Sequence, residues 1–379
     1  MNQSHMPELP YALEASNLSV ILGGQKVLEI PSLQVLPNEV LIVIGPNGSG
    51  KTTLLLSLAL LLRPASGTIS FDGQSIINGS EILGLRRRFA VVFQESLLLN
   101  TTVWDNVTLG LRMRGFKNDE TKARTQKWLE RFNIAPLARR QAKTLSGGEA
   151  KRVSLARAFA LQPKVLFLDE PFAALDSPTR QALIQDLGHV LRETGVTTVM
   201  VTHDRNEALA LADRVAVLIN GRLRQIGLPE EVFSSPADEE VAGFVGVENI
   251  LPGAVVAQKD GIASVSIEGR QIEAVSRLLP GAKVTVCLRP EDVTLTVPEP
   301  KAAASTARNR LSGRLVTTSH LDSQVRVTLD CGFPLVALIT QRSCAELGLA
   351  PGREVVASFK ASSVHLIARS SVFQTTGAV

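Results

Sequence analysis

The sequence predicts an α/β domain built on a parallel sheet, interrupted by a helical insertion and followed by an all-β region in two copies. Three observations carry this. The runs Val40–Ile44, Val165–Leu168, Thr197–Val201 and Val215–Ile219 are almost continuously apolar, as strands are when both faces of a sheet are covered. Gly45-Pro46-Asn47-Gly48-Ser49-Gly50-Lys51-Thr52 follows the first run directly and leads into the leucine-rich stretch Thr53–Leu62. From about Val247 the texture changes to short strands between Gly and Pro turns, and its phrases recur.

The first of these segments also predicts chemistry. Strand, glycine-rich turn and helix N-terminus form a phosphate cradle, in which converging backbone N–H groups and the helix dipole hold the anion. Gly45 to Thr53 supply that cradle, with Lys51 placed to neutralise the β/γ-phosphates and the Thr52 hydroxyl to ligate Mg²⁺. A nucleoside triphosphate is the predicted ligand. Between Gln94 and Leu145 the pattern turns helical: Asp119 is placed to cap a helix whose apolar residues Ala123, Trp128, Leu129 and Phe132 recur at helical spacing.

In Leu145-Ser146-Gly147-Gly148-Glu149, Ser146 and Glu149 form a capping box ahead of the packed helix Lys151–Leu161. A well-capped helix alone would explain those residues. The functional reading is a second anion site, because the paired glycines expose N–H groups at a helix N-terminus. The strand beyond that helix favours the functional reading: apolar Val165–Leu168 ends in Asp169-Glu170, suited to a metal shell (Asp169) and a general base (Glu170).

At 379 residues the chain has room for two or three domains, each able to bury its own core. Lys+Arg 40 against Asp+Glu 36 leaves a net charge of only +4, which demands no polyanion partner. Cys287, Cys331 and Cys344 lack metal-ligand spacing and do not make a disulfide scaffold, so a reducing compartment is expected. Met1–Pro10 lacks an apolar leader core, and the longest apolar run, Leu54–Leu62, is about half the ~20 residues of a bilayer span. Any membrane role is therefore expected through a partner.

In the C-terminal region Asn249–Gly253 echoes Asn309–Gly313, and Pro280–Val284 echoes Pro351–Val355. Leu288-Arg289 with Val293 and Leu295 echoes Phe359-Lys360 with Val364 and Leu366. Two copies, about 248–297 and 308–368, are expected within a domain spanning 247–370, joined by a flexible Pro298–Ser305 link. An extra helix is expected around Ser343–Leu347.

Together these motifs resemble the ATPase subunit of an ABC transporter, a P-loop NTPase, over residues from about 12 to 370. Gly45–Thr52 is similar to that family's phosphate loop, Gln94 to its Q-loop, and Leu145–Glu149 to its signature. Asp169-Glu170 matches its metal-and-base pair, Ala174-Leu175-Asp176 its D-loop, and Thr202-His203-Asp204 its switch histidine, all in family order. The resemblance implies a nucleotide-binding domain over 11–236 with a helical subdomain at about 95–145. It implies Mg²⁺ held by Thr52, Gln94 and Asp169, with Glu170, His203 and Gln94 in catalysis. It also implies a head-to-tail dimer, in which Ser146, Gly147, Gly148 and Glu149 reach an ATP bound by the second copy.

The sequence departs from the family pattern twice. Leu22 stands where an aromatic often stacks on adenine, leaving Tyr11 as the upstream candidate. Asn38 stands where Gly precedes Glu39, and Asn tolerates positive φ better than most residues.

Gly221, Gln225, Gly227, Pro229, Glu231, Phe233 and Pro236 resemble the importer ATPases that append a TOBE region, an OB-like all-β domain. The resemblance implies integral-membrane permease partners, an external substrate-binding protein acting indirectly, and a peripheral place on the cytoplasmic face of the plasma membrane. Val103–Val107 lies where the family receives the permease, so Trp104 either packs internally or meets that partner. Ser305–Asn309, Glu346–Leu349 and Lys360–Val364 are similar to Mop-type molybdate-binding domains, which makes Arg308, Lys360 and Ser362 candidate oxyanion ligands. Molybdate or tungstate is the expected cargo. Ferric iron, sulfate, polyamine or sugar import is the alternative, as is a C-terminal barrel that binds nothing and only stabilises a dimer.

A soluble ABC ATPase of translation or DNA repair is the remote alternative. One uninterrupted cassette, no zinc spacing and near-neutral charge argue against it and against a nucleic-acid partner.

Overall fold

The computed structural model describes residues 11–76, 81–298 and 305–369. The expected leader-free terminus Met1–Pro10 and most of the expected link after Pro298 lie outside them. The chain divides into two compact units between Val232 and Phe233.

The first unit runs β1 (Leu13–Leu22), β2 (Gln25–Val35), β3 (Val40–Ile44), α1 (Lys51–Leu58), β4 (Ser66–Phe71), β5 (Gln74–Ser75), α2 (Glu81–Arg86) and β6 (Phe89–Val92). It continues through α3 (Val103–Met113), α4 (Asn118–Arg131), α5 (Gly147–Ala160), β7 (Val165–Asp169) and α6 (Ser177–Thr194). It closes with β8 (Thr197–Thr202), α7 (Arg205–Leu211), β9 (Arg214–Ile219), β10 (Arg222–Gly227) and α8 (Pro229–Ser234), within which the division falls.

The central sheet has the order β10-β9-β3-β8-β7-β6, parallel except for its edge strand β10. Every residue of β3, β7 and β8 is buried, which is why these runs are apolar throughout. A four-stranded antiparallel sheet, β2-β1-β4-β5, shares one apolar core with the central strands and with Leu54, Leu55 and Leu58 of α1.

The leucine-rich helix ends earlier than expected. α1 stops at Leu58, because Leu60 takes φ 61 and the N–H groups of Leu60 and Leu61 turn back to the carbonyls of Ser57 and Leu56. This is a Schellman closure made without glycine. The expected cap of α4 is also corrected. Lys117 occupies the N-cap position without a side-chain bond, and Asp119 lies in the first turn, where its charge still favours the helix N-terminus. Ala123 is exposed; Thr121 and Thr125 share the buried face with Trp128 and Leu129. Trp128, Phe132 and Phe159 of α5 pack ring on ring, with Trp128 and Phe159 centroids 4.9 Å apart. Asn38 takes the positive φ expected of it, 62°.

The second unit contains α9 (Glu239–Phe244), β11 (Asn249–Lys259), β12 (Ile262–Ile267), β13 (Arg270–Val275), β14 (Lys283–Leu288) and β15 (Thr294–Thr296). The second copy follows as β16 (Asn309–Leu321), β17 (Gln324–Asp330), β18 (Pro334–Thr340), α10 (Gln341–Glu346), β19 (Glu354–Phe359) and β20 (His365–Ala368). The extra helix is present. The repeat is exact in register: Asn249 pairs with Leu288 and Gly253 with Val284, as Asn309 pairs with Phe359 and Gly313 with Val355.

The copies are not separate bodies, however. The two five-stranded sheets are β13-β12-β11-β14-β20 and β15-β19-β16-β17-β18, so each copy completes its sheet with the last strand of the other. Residues of both copies fill one core.

Candidate functional site

The phosphate loop joins β3 to α1. Gly50 caps α1 at φ 99, a region that residues with a side chain rarely adopt, and a Cβ there would lie 2.7 Å from Leu28 Cδ2. Lys51, 6% exposed, folds its ammonium back onto the loop, donating to the Gly45 carbonyl at 2.9 Å and the Pro46 carbonyl at 3.0 Å. Burial pushes its pKa down, opposed by the carboxylates of Glu170 and Asp169. The cation is thus held inside the cradle on the side from which a phosphate would be met. The Ser49 hydroxyl is buried there with no hydrogen-bond partner, an orphaned polar atom of the kind a phosphate oxygen satisfies.

Across the loop, the Thr52 hydroxyl donates to Asp169 Oδ1 at 3.0 Å, which brings together the two expected oxygen ligands of Mg²⁺. Burial pushes the Asp169 carboxyl up, while the Thr52 hydroxyl stabilises its anion. A cation beside it would favour the ionised form. These residues fit the nucleotide–Mg²⁺ pair that the family implies.

Asp169 ends β7, and Glu170 follows at φ 42, a left-handed conformation unusual for glutamate. Its N–H donates to the Val201 carbonyl at 3.0 Å, fixing the turn to the end of β8. Its Oε1 lies 3.1 Å from His203 Nδ1. The backbone on either side of His203 is tied down: the Asp204 N–H donates to the Thr202 hydroxyl at 3.1 Å, and that hydroxyl donates to buried Glu207 at 2.6 Å. Glu170 and His203, assigned on family order, are therefore hydrogen-bonded neighbours.

The signature lies at the N-terminus of α5. The capping box is present, with the Glu149 N–H donating to Ser146 Oγ at 3.3 Å and the Ser146 N–H to Glu149 Oε2 at 2.7 Å. Gly147 and Gly148 stand in the first turn, where helix N–H groups have no intrahelical acceptor. Packing explains part of the glycine pair as well: a Cβ on Gly148 would lie 2.6 Å from Thr179 Cγ2 of α6. Asp176 caps α6, accepting from the Thr179 N–H at 3.2 Å. The signature is thus built against the helix that the D-loop begins.

Gln94 is exposed two residues beyond β6. Sequence reasoning missed what holds it. Lys151 of α5 is buried, and its ammonium donates to the carbonyls of Gln94 and Phe93. A lysine read only as part of a packed helix gave no signal, because its partners are backbone atoms of a remote loop.

In the second unit the expected oxyanion residues separate. Arg308 pairs bidentately with Glu273, and Ser362 is exposed outside the cavity that Lys360 lines. That cavity, about 950 Å³, is lined by Lys360 and Arg310 with hydroxyls of Ser305, Thr306 and Ser363, and by Glu291 and Asp292. Of the expected residues only Lys360 lines this cavity, beside Arg310 and Ser363. Arg289, the repeat equivalent of Lys360, is committed to the Phe233 and Val245 carbonyls. Leu22 is exposed at the end of β1.

Residues 28–173 match the ABC transporter family and residues 305–366 the TOBE domain. The molybdate/tungstate import ATP-binding protein WtpC of Pyrococcus horikoshii is 39% identical over 93% of this chain and 99% of its own. The spermidine/putrescine import ATP-binding protein PotA of Ruegeria pomeroyi is 35% identical over 93% of this chain and 95% of its own. Among solved structures, the ATP-binding cassette MJ0796, a dimer in a post-hydrolysis state bound to ADP and Pi, matches 57% of this chain and 98% of its own, at 29% identity and TM-score 0.53. The chain belongs to the ABC transporter family, as an ATP-hydrolysing, ATP-binding subunit of an importer.

Proposed function

We propose that this subunit powers import of a molybdate- or tungstate-type oxyanion, and that its C-terminal cavity binds the same class of anion. Lys360 and Arg310 beside a row of hydroxyls carry the second part, since charge-assisted bonds from such groups suit a tetrahedral oxyanion. The likeness to WtpC along nearly its whole length supports the first part. Asp169, Thr52 and Gln94 would hold Mg²⁺, which would offset the triphosphate charge. Lys51 binds the phosphates, Glu170 takes the proton of the attacking water, and His203 keeps the Glu170 carboxylate aimed. Ser146, Gly147 and Gly148 complete the site on a second copy, so two ATP molecules sit between head-to-tail subunits. Leu97, Leu99 and Met113, all exposed, offer apolar contacts to an integral-membrane permease.

A second reading, polyamine import, is favoured by Glu291 and Asp292 in the same cavity and by the likeness to PotA. Calorimetric titration of the full chain separates the two. Micromolar molybdate or tungstate is expected to give saturable heat and to raise the thermal midpoint, by linkage to the folded state. Lys360→Ala with Arg310→Ala should remove both. Heat from spermidine and none from molybdate, tungstate or sulfate would transfer the assignment to polyamine.

A further inference from the structure

The helix that begins with the signature also carries a row of donors that the hydrolytic reaction does not use. Lys151, Ser154 and Arg157 lie on one face of α5, three residues apart. All three donate to backbone carbonyls of the segment that leaves β6. Lys151 Nζ donates to Gln94 O and, at 3.4 Å, to Phe93 O. Ser154 Oγ donates to Ser96 O at 2.8 Å, and Arg157 donates to Leu97 O at 3.0 Å and Ser96 O at 3.2 Å.

The acceptors explain why such a row is needed. Beyond Val92 the chain leaves the sheet, so the carbonyls of residues 93 to 97 have no strand neighbour to satisfy them. Leu97 adopts φ 41, which costs free energy unless the surroundings hold it. Lys151 and Ser154 are buried at 5% and 1%, so their donors are withdrawn from water and committed to this loop. Gln94 itself is exposed, and its carbonyl is held by Lys151.

We propose that Lys151, with Ser154 and Arg157, is a positioning residue that sets Gln94 for the metal–nucleotide site. Because the clasp is built on α5, the place of Gln94 follows that of Ser146–Gly148 at the helix start. Lys151 thereby ties the half of the site served by Gln94 to the signature that serves the other copy. The second step rests on the reading of Gln94 as metal sensor and of the signature as acting across a dimer.

The test uses the full chain with Lys151→Met, which keeps the apolar stem and removes the donors, and Lys151→Arg, which restores them. Without nucleotide, amide hydrogen exchange over 93–99 is expected to rise about tenfold in Lys151→Met, with β3, β7 and α1 unchanged and the arginine variant near wild type. Binding of a fluorescent ATP analogue without metal should stay within about twofold. The Mg²⁺ concentration for half-maximal turnover should rise about threefold or more. Unchanged exchange over 93–99, or a rise shared equally by β3 and α1, would overturn the clasp. Should Lys151→Met not fold, Ser154→Ala carries the same test with a smaller shift in the same direction. Gln94→Ala separates the two layers. If its Mg²⁺ dependence is that of wild type, the metal assignment of Gln94 falls, while the exchange data still judge the clasp. If it shifts and Lys151→Met does not, the clasp alone is wrong.

Discussion

Lys51 and Lys360 are the two lysines proposed to meet anions, and their surroundings differ in kind. Lys51 is buried, its ammonium already seated on two backbone carbonyls, with Asp169 and Glu170 within electrostatic reach and an unpartnered Ser49 hydroxyl beside it. Lys360 is exposed on the wall of an open cavity that also presents two carboxylates. In the first region the groups are fixed before any ligand arrives, so little ordering cost remains to be met on binding. In the second region a ligand would have to order the cation and outweigh Glu291 and Asp292. A preorganised site can support chemistry; an open one is suited to reversible sensing.

Lys51→Ala gives the sharpest break in that comparison. No other side chain of the loop places a cation on the phosphates, so turnover is expected to fall about 10³-fold or more, with ATP affinity weakened as well. Steady-state ATPase assays with nucleotide titration check both, and turnover within tenfold of wild type would remove Lys51 from the site. Glu170→Gln is expected to act differently. The amide keeps the shape and a contact to His203 but cannot accept a proton, so turnover falls about 10²–10⁴-fold while ATP binding persists. On size exclusion with ATP and Mg²⁺ this variant should run as a dimer. A monomer under those conditions would break the composite-site reading for the isolated subunit.

The sequence was most legible where one short segment carries both its own geometry and its chemistry. Gly45–Thr53 contains strand end, glycines, lysine and hydroxyl in a single stretch, and Ser146–Glu149 contains its own cap. It was least legible where the partners are backbone atoms far along the chain. Nothing about Lys151 in its helix announces the Gln94 carbonyl, and nothing about Asp119 shows that Lys117 takes the N-cap. The partner of one C-terminal candidate was hidden for a related reason. Arg308 had suitable chemistry, but Glu273, 35 residues earlier in sequence, is placed beside it by the pairing of the two copies. The repeat itself was visible, because register is written in the side-chain pattern. The exchange of last strands was not, because β15 and β20 fit either sheet by pattern alone.

That exchange supplies the comparison with the smallest expected effect. Asn249 and Asn309 hold equivalent places in the two copies, and each reaches into the other copy. Asn249 donates to the Leu288 carbonyl at 3.1 Å and the Val336 carbonyl at 2.9 Å, and accepts from the Val336 N–H at 2.7 Å. Asn309 accepts from the Glu273 N–H at 2.6 Å and donates to the Glu273 carbonyl at 2.8 Å. Both are nearly inaccessible to water, so truncation leaves backbone groups unpaired, at about 1–3 kcal/mol each. Asn249→Ala should therefore destabilise the second unit by about 3 kcal/mol or more, and Asn309→Ala by somewhat less, because it releases fewer bonds. Chemical denaturation of each variant measures the difference. Asn249→Asp discriminates further: the carboxylate can still accept from Val336 N–H but faces two carbonyls as a buried anion, so it should cost more than alanine. If the aspartate variant is the more stable of the two, water reaches Asn249 and the clamp between copies is weaker than its geometry indicates.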